Sequence, residues 1–262
     1  MNKKTLKIAI VQPELRDRDW KYNLNKIEAL LTKVSGNKAE LAILPELWPS
    51  AMGLDNCGRQ AEINSMEILP RIKEFTIKSG MWIHWGSMLH KEGKDCYNRA
   101  VLISPKGEIK LSYKKIHLFG LMGEDKYIAP GKEMPLTELP FAKVASGVCY
   151  DLRFPELFRY YALSGAEIIF LPAEWPHPRL NHWRLLLQAR AVENQVFMVA
   201  CNRTGIGGKY RFFGHSMIVD PWGEIIFEAD EEERAEVVEI DLSGISSAKG
   251  KLNTVNDVSP HI

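Results

Sequence analysis

Short apolar runs recur along the whole chain: LKIAIVQ (6–12), ELAILPE (40–46), MWIHWGSML (81–89), RAVLISP (99–105), KVASGVC (143–149), EIIFLPA (167–173), QVFMVACN (195–202), HSMIVDP (215–221) and AEVVEIDL (235–242). Most are apolar through the middle with little alternation, the pattern of strands covered on both faces. Helical periodicity lies between several of them. In 23–34, Leu24, Ile27, Leu30, Leu31 and Val34 form one stripe. The segment 155–164 begins with Pro and stops before Gly165, a helix start and stop pattern. In 181–194, Trp183, Leu186, Leu187, Arg190 and Ala191 recur at helical spacing. Two Pro-x-Gly turns, at 105–107 and 221–223, sit between strand-like runs and predict hairpins. The stretches ILPELW (43–48) and FLPAEW (170–175) are alike, and each ends a buried run that follows a helix. That likeness predicts two related sheets packed face to face with helices outside, an α/β fold arranged as a four-layer α-β-β-α sandwich. The alternation of helix and strand alone also allows an ordinary doubly wound sheet.

Composition narrows the classes of function. The chain has 262 residues, 45% apolar and 26% charged, with a formal net charge of +1. Basic residues are not concentrated in any segment, which argues against a nucleic-acid or anionic-membrane surface. No low-complexity linker divides the chain, so residues 1–262 are expected to be a single domain, with about 245–262 as a C-terminal tail that is polar and irregular over 249–262. The start reads as a first strand rather than a signal peptide, because its apolar run is short and broken by Gln12-Pro13. No stretch approaches the roughly 18 apolar residues of a membrane span, so a cytoplasmic protein is expected. The cysteines at 57, 96, 149 and 201 share no metal-binding spacing, which predicts free thiols and no metal.

One thiol invites a chemical reading. Cys149 ends an apolar run just before the helix predicted from Pro155, a strand-to-helix elbow that presents a nucleophile beside free backbone N–H groups. A cysteine ending an apolar run is equally a small buried residue. No histidine lies close in sequence. Glu46 follows LAILP, so a carboxylate sits at the C-terminal edge of a buried strand, where it can act as a general base; Glu174 is its rival in the second half, and either one taken singly is equally an ordinary surface acid. If 111–116 is extended, Lys115 shares a side with Tyr113 and His117 while Lys114 faces the other way; an inward lysine must find an anion, but Lys115 could equally be one of two solvated lysines.

LPELW, YKKIHLF and GVCYDLRFPE, in this order, resemble the three catalytic motifs of the nitrilase superfamily, the carbon–nitrogen hydrolases. The stretches GED…APG (123–131), LPAEWP, HWRLLLQARAVENQ, ACNRTG and FFGHSMIVDPWGEII resemble that family too, so the likeness covers nearly the whole chain. The resemblance implies Glu46 as general base, Lys115 as oxyanion-stabilising cation and Cys149 as nucleophile. Glu124 is implied as a second glutamate orienting the lysine and the substrate amide, and the Tyr150 backbone N–H as an oxyanion donor. It implies amide hydrolysis through a thioester, with no cofactor. True nitrilases of the superfamily usually carry Cys-Trp-Glu, whereas this chain has Cys149-Tyr150-Asp151. That resembles the ω-amidase branch, whose substrates are small carboxylate-bearing amides such as 2-oxoglutaramate or 2-oxosuccinamate. Arg153 is then a candidate for the substrate carboxylate, or else an ion-pair partner of Asp151 or Glu156; Trp175 is a pocket wall or core. The rival expectations are an N-carbamoyl-amine or other aliphatic amidase, and a non-catalytic binding or assembly protein on the same fold. His117 and His215 are expected to be structural, and Asn202 to be a satisfied amide. By the same resemblance, the tail reaches across an interface in a homodimer or higher assembly.

Overall fold

The computed structural model of the protein describes residues 5–252 together with Thr254, Val255 and Asp257. Two six-stranded sheets dominate it. The first half supplies β1 (Thr5–Gln12), α1 (Trp20–Gly36), β2 (Leu41–Ile43), α2 (Cys57–Ile63), α3 (Leu69–Ser79), β3 (Trp82–Glu92), β4 (Asp95–Ile103) and β5 (Ile109–Lys114). The second half supplies β6 (Leu136–Glu138), β7 (Lys143–Ser146), α4 (Pro155–Leu163), β8 (Ile168–Ala173), α5 (Leu180–Asn194) and β9 (Phe197–Asn202). It continues with β10 (Thr204–Gly207), β11 (Tyr210–Phe213), β12 (Met217–Val219) and β13 (Ile225–Glu228). The chain returns through β14 (Arg234–Asp241) to α6 (Ser243–Lys251).

The sheet orders, β14-β1-β2-β3-β4-β5 and β13-β12-β9-β8-β7-β6, show the relation between the halves. Each has three parallel strands, β1-β2-β3 or β7-β8-β9, followed by two antiparallel ones. The remaining edge is antiparallel in both, filled by β6 beside β7 in one sheet and by the late β14 beside β1 in the other. Alternate side chains explain the layers. Ile8, Ile10, Leu41 and Ile43 join Ile168, Phe170, Val199 and Ile218 in the core between the sheets. Their neighbours Ala9, Val11, Ala42 and Leu44 pack outward on Leu24, Ile27, Leu31 and Val34 of α1. Ile169 and Leu171 do the same against Phe158 of α4 and Trp183 and Leu187 of α5. The α-β-β-α sandwich is therefore set by strands apolar on both faces. Both Pro-x-Gly hairpins form, as β4–β5 and β12–β13.

Three segments differ from the sequence expectation. The apolar run through Cys149 stops being a strand at Ser146, and Cys149–Arg153 forms a tight 3-10 turn. The stretch 57–79, with no helix expected, is helical throughout, its α2 joined to α3 by the π turn Asn64–Ile68. The tail expected from about 245 begins as helix α6, which reaches Lys251 and so enters the part from Lys249 that was expected to be irregular; Leu242 and Ile245 plug into the core between the sheets and Ala248 is also buried. The rest of that tail, at 253, 256 and 258–262, lies outside the described residues. No helix among the described residues is long and apolar enough to cross a membrane.

Candidate active site

The two similar stretches of the sequence meet at the strand ends. Glu46 lies three residues beyond β2, and Glu174 directly follows β8. The Glu46 backbone N–H donates to Ala173 O (3.4 Å), and the Glu174 N–H donates to Glu46 Oε2 (2.9 Å). The other oxygen, Oε1, accepts from Lys115 Nζ and from Asn98 Nδ2, each at 2.8 Å. Behind this turn Gly86 has φ +64, and a Cβ there would stand 1.8 Å from Pro45 O, so only glycine admits so close a backbone.

Lys115 follows the last residue of β5, and the alternation that turns Tyr113 inward turns it inward as well. Its ammonium, 1% exposed, is shared by Glu46 and Glu124 Oε1 (2.8 Å). Burial works to lower the Lys115 pKa, but the charges of Glu124 and Glu46 outweigh it and hold the ammonium well above its ordinary value. Glu124 is fixed from the other side by the Phe119 N–H, which donates to Oε2 at 2.7 Å. Burial, with Glu46 adding to it, raises the Glu124 carboxyl, while Lys115 pulls it down. The neighbouring Lys114 faces outward and pairs with Glu92.

Cys149 opens its turn with φ +46, in the left-handed region that a side chain occupies only when its surroundings enforce it. Asp151 enforces it. This fully buried carboxylate accepts from the Val148 N–H (2.8 Å), Tyr113 OH (2.7 Å), the His117 N–H (3.0 Å) and His117 Nδ1 (2.8 Å). The elbow and the Lys115 segment are thereby tied to one anion. Burial, reinforced by the Glu46 charge, pushes the Cys149 thiol well above its ordinary pKa, with Lys115 opposing. A thiol kept neutral in this way needs an adjacent base before it can attack. The Tyr150 N–H has no acceptor among the described residues.

A cavity of about 20 Å³ adjoins Cys149, room for about one water molecule. Its polar lining is Glu46, Lys115, Glu124 and Glu174; Leu54, Phe119 and Met122 are among its apolar walls. Glu174 is held by Arg203 Nη1 (3.0 Å), yet burial pushes its carboxyl up to about 7, against the pull of Arg203 and helped by Glu46. Arg153 and Trp175 lie outside this lining. Arg153 pairs with neither Asp151 nor Glu156; its guanidinium sits 4.8 Å from the Trp175 ring centre and 3.3 Å from His182 Nδ1. Trp175 is buried, with its backbone clasped by the Asn202 amide. The expectation of a satisfied Asn202 therefore holds. His117 is only half-buried, stacked at 3.7 Å on Phe154, and His215 pairs with Glu228 of β13.

Asn98 and Arg203 escaped sequence reasoning as parts of the site, because each depends on which strand ends meet. Glu174, expected as a rival of Glu46 for the base, pairs with Arg203. Asp151, expected only in the Cys149-Tyr150-Asp151 signature or as a partner of Arg153, instead ties the elbow to the Lys115 segment.

Known proteins resemble the chain over nearly its whole length. The Carbon-nitrogen hydrolase family model matches residues 7–250. A 2-oxoglutaramate amidase of Bacillus subtilis (strain 168) is 38% identical over 236 residues, 90% of this chain and 91% of its own. A 2-oxoglutaramate amidase of Paenarthrobacter nicotinovorans is 36% identical over 263 residues, 96% of this chain and 89% of its own. Among solved structures, a mutant of the amidase from Nesterenkonia sp. AN1 superimposes with a TM-score of 0.89 at 26% identity, covering 98% of this chain and 95% of that one. It shows covalent addition of the acetamide moiety of fluoroacetamide at its active-site cysteine. With the family pattern matched from β1 to α6, the chain belongs to the carbon–nitrogen hydrolase family.

Proposed function

We propose that the chain works as one hydrolase domain that cleaves a small carboxylate-bearing amide, with Cys149 as nucleophile. Glu46 takes the thiol proton as sulfur attacks the amide carbon. Lys115 and the Tyr150 N–H stabilise the tetrahedral oxyanion. Glu46 returns the proton to the departing ammonia, leaving a thioester, and then activates the water that hydrolyses it to the acid. Glu124 holds Lys115 from the side opposite Glu46. The observation that carries this reading is the buried ammonium shared by two carboxylates beside a strained cysteine. Removing the Glu46 base is worth about 10²–10⁴ in rate.

The 2-oxoglutaramate amidases at 36% and 38% identity support 2-oxoglutaramate or its shorter homologue as substrate. Ammonia release from a panel of 2-oxoglutaramate, 2-oxosuccinamate, glutamine, an N-carbamoyl amine and a nitrile tests it. The expected order puts the two 2-oxo acids first. Carbon dioxide accompanying ammonia from the carbamoyl compound, at a higher rate, replaces this reading with the N-carbamoyl-amine one. No ammonia from any amide makes the chain a non-catalytic member of its family.

Two further features of the reading concern setting. The enzyme acts in the cytoplasm, where its free cysteines stay reduced. It acts as a homodimer, because Tyr160 and Leu163 on α4, and Leu185 and Val192 on α5, leave outward apolar positions spaced along each helix. Light scattering on the purified protein is expected to give twice the chain mass, and a monomer at micromolar concentration overturns the assembly.

A further inference from the structure

Three carboxylates line the cavity at Cys149, and they differ in how many of their oxygens are already bound. Both oxygens of Glu46 are taken: Oε1 accepts from Lys115 and Asn98, and Oε2 from the Glu174 N–H. Both oxygens of Glu124 are taken as well, Oε1 by Lys115 and Oε2 by the Phe119 N–H. Glu174 is different. Its Oε1 accepts from Arg203 Nη1 at 3.0 Å, while its Oε2 has no donor among the described residues. Arg203 is fixed elsewhere: it is fully buried, donates from Nη2 to Leu15 O at 2.8 Å, and its guanidinium lies 4.5 Å from the ring centre of Phe212. The site therefore keeps one unmatched acceptor on a buried side chain, where acceptors are normally matched.

A primary amide brings the missing donor. In the proposed reaction its carbonyl oxygen is met by Lys115 and the Tyr150 N–H, but its NH2 group offers two N–H donors that lose water on entering the site and need acceptors there. The nitrogen must also lie beside Glu46, which returns the proton to it. Glu174 is the neighbour of Glu46, its backbone N–H reaching Glu46 Oε2 at 2.9 Å. The family pattern gives the substrate amide to Glu124, yet Lys115 and the Phe119 N–H already hold both oxygens of that carboxylate. We propose that Glu174 is a specificity-determining residue whose unmatched oxygen accepts an N–H of the substrate amide and holds the nitrogen beside Glu46, so that the enzyme prefers amides to esters of the same acid. This inference deepens the proposed function and rests on it. Glu174 moves no proton: Glu46 supplies the proton as the C–N bond breaks, and ammonia leaves.

The test compares 2-oxoglutaramate with the ω-methyl ester of 2-oxoglutarate. Both form the same thioester and differ only in the leaving group, and kcat/KM covers the step that expels it. In Glu174→Gln the side-chain oxygen stays on Arg203, and an NH2 group then faces the amide NH2. The amide-to-ester ratio of kcat/KM is expected to fall about ten- to a hundredfold, a loss typical of a charge-assisted contact. An unchanged ratio overturns the inference, whether both activities fall together or neither does, and leaves the proposed function intact. Wild type gives a second readout that needs no variant to fold. Burial pushes the Glu174 carboxyl up to about 7 against the pull of Arg203, with Glu46 and Asp17 adding to it; Lys115, Glu124 and Cys149 are the other ionisable groups of the cavity. The ionised carboxylate is the better acceptor, and groups that serve both substrates cancel in the ratio. The wild-type ratio is therefore expected to rise between about pH 6 and pH 8, and Glu174→Gln to lose that rise. A wild-type ratio flat across that range overturns the inference. A wild type that releases no ammonia from 2-oxoglutaramate at any pH overturns the proposed function, and the inference with it.

Discussion

Asp151 organises the site without touching the proposed reacting atoms. Its four accepted hydrogen bonds join the nucleophile turn to the segment carrying Lys115. Asp151→Asn keeps the shape but replaces an acceptor by a donor where all partners donate. A buried network broken in this way costs about 2–4 kcal/mol. The expected outcome is a lower unfolding midpoint and a fall in kcat larger than any change in KM; an unaltered kcat contradicts the positioning role. That Glu46, Lys115 and Cys149 meet was legible from the resemblance of their three motifs to one family, since position alone left each of them open. Asn98 was not, since its bond to Glu46 depends on the pairing of β4 with its neighbours.

The strands could be read from the sequence because burial on both faces removes the polar alternation that blurs an edge. The helical stretch 57–79 could not, as its π turn shifts the apolar stripe and Pro70 falls within it. Nor could the end of the nucleophile strand: apolar residues continue to Val148, while the Asp151 carboxylate captures the Val148 N–H and turns the chain. Gly86 shows how an element's backbone reaches the chemistry. It lies where the β3–β4 register shifts, pressed on the turn that carries Glu46. Gly86→Ala is expected to destabilise the fold by at least about 3 kcal/mol. It also displaces Glu46, so chemical unfolding and ammonia release should both suffer. A variant of wild-type stability shows that the turn can retreat and contradicts the account.

The molecule as a whole depends on the seam between its two sheets, and His84 of β3 is a buried titratable group there. It is fully buried, bonded to Ser146 Oγ of β7 at 3.1 Å, and burial lowers its pKa to about 3 from an ordinary value of 6.5. Between those values the unfolded chain binds a proton that the folded one refuses. The stability held at pH above 6.5 is therefore lost as pH falls toward 3, by up to about 1.4 kcal/mol per pH unit. Denaturant unfolding of wild type and His84→Gln at pH 7, 6 and 5 is expected to show their difference shrinking or reversing as pH falls; parallel profiles contradict it. The seam also brings Glu46 from one half to Cys149 from the other, so the central claim concerns a site that neither half holds alone. Ammonia release from 2-oxoglutaramate by wild type and by Cys149→Ala tests it most directly. A loss of at least about a thousandfold in a variant with an unchanged unfolding midpoint is the predicted result. Hydrolysis that persists at a comparable rate without the thiol contradicts it.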